Sequence, residues 1–268
     1  MTYQLNPLLE AYDRNAKKDA ALGTAAGITG ASALSYASAS PLLTTQNMKM
    51  NWLAKPESEL PQNLKGLKVN GNEDISAYLK RKGLKFNMNG HPAGSHFNPA
   101  NSTIDLAFKD KYKNGKIAKS IFAHELGHSA KMQHAPKRIA LYGGSKIATN
   151  GAAVAAIINC FNNDEESRKK IGNAISIAGG AASIPMIAEE IGASIRGTKM
   201  LGLKGMDRAR AFIGIPSYIA LAMSPWIINK VSERTRKFLK AMREAKKDNP
   251  EVQANLKELS NQDIKVKI

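Results

Sequence analysis

Four stretches of this 268-residue chain that are rich in apolar and small residues carry no charge, and they restrict its fold more than any other feature. They run from Ala20 to Met48 (29 residues), Ile147 to Asn163 (17), Ile171 to Ala188 (18) and Ala211 to Asn229 (19). A helix needs about 20 mainly apolar residues to cross a bilayer, so all four lie near that length. Ala, Gly and Ser dilute their Leu and Ile and weaken the hydropathy signal. Small residues four apart, such as Gly23 and Gly27, suit close helix packing inside a membrane. The competing reading is a soluble, alanine-rich core of buried helices. Four such runs exceed what one soluble core of this length requires, so membrane integration is the expectation. The first run also reads as a cleaved export signal, with Arg14, Lys17 and Lys18 ahead of it and Ala37-Ser38-Ala39 as the cleavage site.

The charge outside the runs is basic: 39 Lys and Arg against 22 Asp and Glu, a net +17. That balance points to an anionic partner, whether nucleic acid, a lipid surface or an acidic protein. The basic residues are not interleaved with aromatics and form no nucleic-acid-binding motif, so no specific nucleic acid is expected. The tail from Lys230 to Ile268 holds 11 basic and 6 acidic residues. Its Val231, Phe238, Leu239 and Met242 share one helical face with Ile228. Such a helix packs on its own protein or lies on anionic headgroups. The single cysteine, Cys160, excludes an intramolecular disulfide.

Between the first two runs the pattern is that of a folded unit. Glu73 to Lys82 reads as a short helix ended by Gly83, and Leu84 to Met88 as a strand. Gly90 to Asn101 reads as a loop. Ser102 to Phe108 alternates again, with Ile104, Leu106 and Phe108 on one face. A helix then runs from Gly115 through His128. The expected fold is mainly α with a small mixed β-sheet and several apolar, membrane-spanning helices. The expected divisions are 1–48 (apolar N-terminal helix), 49–138 (catalytic region), 139–229 (apolar hairpin and fourth apolar helix) and 230–268 (basic amphipathic tail).

His124-Glu125-Leu126-Gly127-His128 reads H-E-x-x-H. On a helix, positions i and i+4 share a face, so both imidazoles reach one ion, and neutral imidazole suits zinc. Glu125, beside the first ligand, is placed to take a proton from metal-bound water and deliver it to a leaving amine. The third ligand has two candidates. Glu189-Glu190 closes an uncharged run, where adjacent carboxylates are costly unless something binds them. His134 is the other. A straight helix would carry it about 9 Å along the axis from His128, too far to share an ion. If runs two and three cross and return around the charged turn Asp164 to Lys170, Glu190 arrives on the side of His124 and His128.

H-E-L-G-H followed by Glu190-Ile191-Gly192-Ala193-Ser194 resembles the gluzincin peptidases, above all the membrane-embedded ones of the HtpX and CAAX-prenyl-protease kind. The resemblance covers about Ser102 to Arg196. It implies a zincin-like α+β core, a Zn2+ cofactor, and Glu190 as third ligand with Glu189 in reserve. It also implies that a strand before the motif helix, here with Ile104, Asp105 and Leu106, binds the substrate backbone by strand addition. Ser194 stands where that family has Asp, which weakens support for a ligand histidine. A second resemblance, to the metzincins with H-E-x-x-H-x-x-G-x-x-H, makes His134 the ligand. There Lys131 replaces the glycine that turns the chain.

The expected function is therefore a zinc-dependent metalloendopeptidase acting on protein or peptide, located in the membrane or otherwise cytoplasmic. The alternatives are a metzincin-like soluble peptidase using His134 and a non-catalytic membrane or interaction protein. His91 and His96 read as surface or structural histidines. Tyr142 and Arg196 are candidates to steady the oxyanion of a tetrahedral intermediate.

Overall fold

The computed structural model describes residues 17–31, 60–87, 95–106 and 116–247. The Ala37-Ser38-Ala39 motif, the second half of the first uncharged run, His91 and Phe108 lie outside the described residues. Among those described, the protein is mainly α-helical with small mixed and antiparallel sheets. They form two compact units. One comprises the described residues of 60–152 together with 177–223; the other comprises 17–31, 153–176 and 224–247. Residues 133–135 separate two helices close to the division expected at 138, whereas a single helix, Ile215–Lys247, runs through the place of the division expected at 229.

The first unit holds the sheet. A short helix α2 (Gln62–Lys65) precedes an antiparallel pair, β1 (Lys68–Val69) and β2 (Glu73–Asp74). Helix α3 (Ile75–Arg81) follows, with the helix 17–31 counted as α1. Asp74 caps α3 by accepting from Ser76 N at 2.8 Å, and Gly83 ends it in the left-handed region at φ +63°. Strands β3 (Lys85–Asn87), β4 (His96–Asn98) and β5 (Thr103–Asp105) form a mixed sheet in the order β3-β5-β4. β5 runs parallel to β3 and antiparallel to β4. Phe86, Ile104 and Phe97 line up across it. The helix α4 (Lys116–Met132) lies against the sheet, with Phe86 and Phe122 edge to face at 6.0 Å. Leu79, Leu106, Ile121 and Leu126 belong to the same core.

Two expectations change here. The stretch read as loop contains β4, whose three residues His96–Asn98 are too short for an alternation signal. The strand expected to bind substrate, β5, is paired on both sides and has no open backbone edge. Ile104 and Leu106 are fully buried in the core and Asp105 is nearly so. Among the described residues the open antiparallel edge belongs to β4.

Helices α5 (Pro136–Asn159), α6 (Glu165–Met200) and α8 (Ile215–Lys247) carry the second, third and fourth uncharged runs; α7 (Gly205–Arg210) is short. Asp164 caps α6 by accepting from Glu166 N and Ser167 N, each at 3.2 Å. Inside α6, Pro185 interrupts the ladder. The Ser145 hydroxyl of α5 fills the gap, donating to the Ala182 carbonyl and accepting from Met186 N at 3.2 Å. Two stretches, Glu165–Met200 and Gly205–Glu244, are long and apolar enough to cross a membrane. Only 22% and 33% of their most apolar windows is buried. Run one and run two do not reach that mark within the described residues.

The second unit is all helical. α1 and α8 pack antiparallel, with Gly23 against Ser232 and Gly27 against the backbone of Ile228. A Cβ on Gly27 would meet the Ile228 carbonyl at 2.6 Å, so the small residue is required there. Asp19 pairs with Arg243 farther along. The tail expected as a separate amphipathic helix is the continuation of α8 as far as Lys247.

Candidate metal centre

The motif lies in the middle of α4, so His124 and His128 project from one face of a regular helix. The partner face comes from α6. Gly127 and Gly197 allow the two backbones to touch: a Cβ on Gly127 would lie 1.9 Å from the Ala193 carbonyl oxygen. This contact brings Glu190 to the histidines. His124 Nε2 lies 3.0 Å from Glu190 Oε2 and 3.2 Å from His128 Nε2; His128 Nε2 lies 3.5 Å from the same carboxylate oxygen. Glu190 is fully buried.

The hydrogen bonds around this triangle fix which atoms face it. Ser194 Oγ is 2.7 Å from the Ala211 carbonyl oxygen, which only accepts, so the hydroxyl proton is spent there. Ser194 Oγ is also 2.7 Å from His124 Nδ1 and must accept from it. Nδ1 thus carries the hydrogen, and Nε2 presents a lone pair to the centre. The serine that reads as a weakened partner in the sequence supports the histidine through a one-proton relay. His128 Nδ1 faces Glu189 Oε1 at 3.5 Å, beyond good hydrogen-bond length. Arg196 holds that carboxylate and donates from Nε to Gly127 O at 3.1 Å.

Tyr142 of α5 donates to Glu190 Oε1 at 2.5 Å, which leaves Oε2 turned to the imidazoles. Tyr142 and Arg196 therefore orient carboxylates beside the centre; the single hydroxyl proton of Tyr142 goes to Glu190 and is not available to an oxyanion. Nothing in the sequence near either residue signals this. It depends on a crossing of distant helices.

Two imidazole lone pairs and a carboxylate oxygen directed at one point repel each other unless a proton or a cation stands between them. The group His124, Glu125 and His128 can hold a metal ion, its ligand atoms lying within 4.8 Å of one another. Burial opposes the charged form of His128, but Glu189 and Glu190 outweigh it and push its pKa up to about 10. Burial raises the pKa of the Glu125 carboxyl, and the neighbouring imidazoles of His124 and His128 offset this only in part.

The other candidates lie apart from the triangle. α4 continues past Lys131 to Met132, and the left-handed residue is His134 itself, at φ +58° in the exposed turn before α5. Asp105 faces His96 across the β4–β5 pair, 3.6 Å from its Nε2. Ile104 and Leu106 point into the core. Comparison of the chain with protein-family models, with characterised proteins and with solved structures finds no match.

Proposed function

We propose that this chain is a membrane-anchored, zinc-dependent metalloendopeptidase of the gluzincin kind. His124, His128 and Glu190 are its metal ligands and Glu125 its proton carrier. The observation behind this reading is the triangle of 3.0, 3.2 and 3.5 Å among the three ligand atoms. Ligand atoms about 2.0–2.1 Å from a tetrahedral zinc stand roughly 3.3 Å from each other, so the triangle has the size of one face of such a site. Two imidazoles and one carboxylate, with a fourth position left open, are the donor set of a hydrolytic zinc. The metzincin-like alternative would need His134, which lies exposed in its turn.

When bound, zinc supplies a Lewis acid that polarises a carbonyl oxygen and makes water acidic near neutral pH. The residues of the chain do the rest. Ser194 holds the His124 tautomer, Tyr142 turns Glu190 inward, and Arg196 with Glu189 backs His128. Glu125, buried and with raised proton affinity, takes a proton on its carboxylate and releases it to the leaving amine. A protein or peptide substrate lies extended along the open edge of β4, bound by backbone hydrogen bonds.

The membrane part of the reading rests on α6 and α8 and on the side chains they leave uncovered. Ile177 and Ile184 of α6 are 74% and 62% exposed, which suits lipid contact. The excess of basic residues suits an anionic lipid surface.

Metal analysis of detergent-extracted and soluble fractions tests both parts, with one zinc per chain expected in the detergent fraction. Glu125→Gln should keep the metal and lose hydrolysis of casein. Equal activity of wild type and variant would sink the catalytic reading. Loss of metal in His134→Ala, with metal kept in Glu190→Ala and Glu189→Ala, would overturn the ligand assignment.

A further inference from the structure

The all-helical unit contains a second polar site, distant in sequence from the zinc motif. There α6 and α8 run antiparallel. Asn229 Nδ2 donates to the Gly172 carbonyl at 3.1 Å, and Lys169 Nζ is 4.0 Å from Glu233 Oε1. Both helices change character at this level. Arg168, Lys169 and Lys170 precede the uncharged run of α6, and Lys230 follows that of α8. In a helix pair that crosses a bilayer, this is the depth of the headgroups.

Between the helices lies a cleft of about 100 Å³, lined among others by Arg168, Lys169, Ser176, Trp226, Lys230 and Glu233. A cofactor-sized ligand needs at least about 300 Å³, whereas a single tetrahedral anion needs only a few water volumes of about 30 Å³ each. Three cations against one carboxylate make the lining net positive. Glu233 reaches Lys169 and Lys230 only at 4.0 Å, and its short contact is to Lys237 at 3.0 Å; Lys169 is instead paired with Glu165 at 2.6 Å, which leaves Arg168 and Lys230 as the lining cations with no close carboxylate among the described residues. Trp226 is half exposed, the placement of an interfacial aromatic.

The geometry points to a binding site for the phosphate of an anionic phospholipid headgroup, held by Arg168 and Lys230 with Trp226 beside it. This site rests on the membrane reading above and on nothing in the zinc chemistry. It would anchor the helix pair at one leaflet and favour membranes rich in anionic lipid.

Trp52→Phe leaves Trp226 as the single tryptophan, because the chain has two. The full chain carrying that change is first floated with phosphatidylcholine vesicles, which reports insertion alone. In detergent, its fluorescence is then titrated with short-chain phosphatidylglycerol, short-chain phosphatidylcholine or inorganic phosphate. Phosphatidylglycerol should give a saturable change, and the other two should not. Arg168→Gln with Lys230→Gln should still float and should bind phosphatidylglycerol at least about tenfold more weakly. An unchanged phosphatidylglycerol titration in that variant, with flotation intact, overturns the site alone. Inorganic phosphate that saturates the signal equally well overturns the lipid as its source. Wild type that fails to float with neutral vesicles brings down the membrane reading and this site with it.

Discussion

Gly127 of α4 and Gly197 of α6 meet backbone to backbone: a Cβ on Gly127 would stand 1.9 Å from the Ala193 carbonyl oxygen, and one on Gly197 would stand 1.6 Å from that of Ala123. Ordinary contact begins at 3.4 Å, so an added methyl group must part the helices by more than 1 Å. The listener to that movement is the ligand triangle, because α4 carries both histidines and α6 carries Glu190. Metal–ligand distances tolerate only about 0.2 Å. Gly127→Ala and Gly197→Ala are each expected to lose bound metal and about 1–3 kcal/mol of stability through overpacking. Metal content and thermal unfolding of the purified variants check this.

Ser194→Ala should separate the relay from the packing. The methyl group fits where the hydroxyl was, but His124 Nδ1 and the Ala211 carbonyl both lose their partner. Metal affinity is expected to fall about 10–100-fold, the usual effect of removing the group that orients a ligand histidine. Ser194→Asp accepts from His124 but cannot donate to Ala211, so its thermal stability should fall even where metal binding survives. Chelator competition and thermal melts distinguish the two effects.

The helices that build the site are legible in the sequence because their signals are local. H-E-x-x-H sets the spacing on α4, and the absence of charge marks α6 and α8. The rest depends on pairs that the sequence does not bring together. β4 is only three residues long and is specified by Phe97 meeting Ile104. Gly127 reads as a weak helix former until Gly197 is found opposite. Ser194 reads as a poor substitute for Asp until Ala211 appears as the acceptor of its proton. Tyr142 has no motif at all, and its role comes from where α5 passes Glu190.

Metal binding should release a proton. In the metal-free protein His128 holds its proton up to about pH 10, against an ordinary value of 6.5. An ion needs the Nε2 lone pair, so near pH 8 about one proton leaves for each ion bound. Affinity therefore rises with pH, about tenfold per unit while His128 remains protonated. The folded-state pKa lies above the unfolded one. The contribution of His128 to the metal-free fold is thus complete below pH 6.5 and lost as pH rises through about 10. Calorimetry in buffers of different ionisation enthalpy measures the proton count, and melts of metal-free protein across that range follow the stability.

The Pro185 break in α6 lies just ahead of Glu189 and Glu190, and Ser145 bridges it. The Ala182 carbonyl and the Met186 N–H would bond each other in a regular helix; here the Ser145 hydroxyl stands between them and serves both. Ser145→Ala leaves two buried polar groups without partners, at a cost of about 1–3 kcal/mol. It should lower the midpoint of thermal unfolding by several degrees for a chain of this size. Pro185→Ala restores an N–H at 185 and lets the ladder close directly, so Ser145→Ala should cost much less in that background. A double-mutant cycle on the melting data measures the coupling. Equal cost of Ser145→Ala with and without Pro185 would mean that the hydroxyl does not bridge the break.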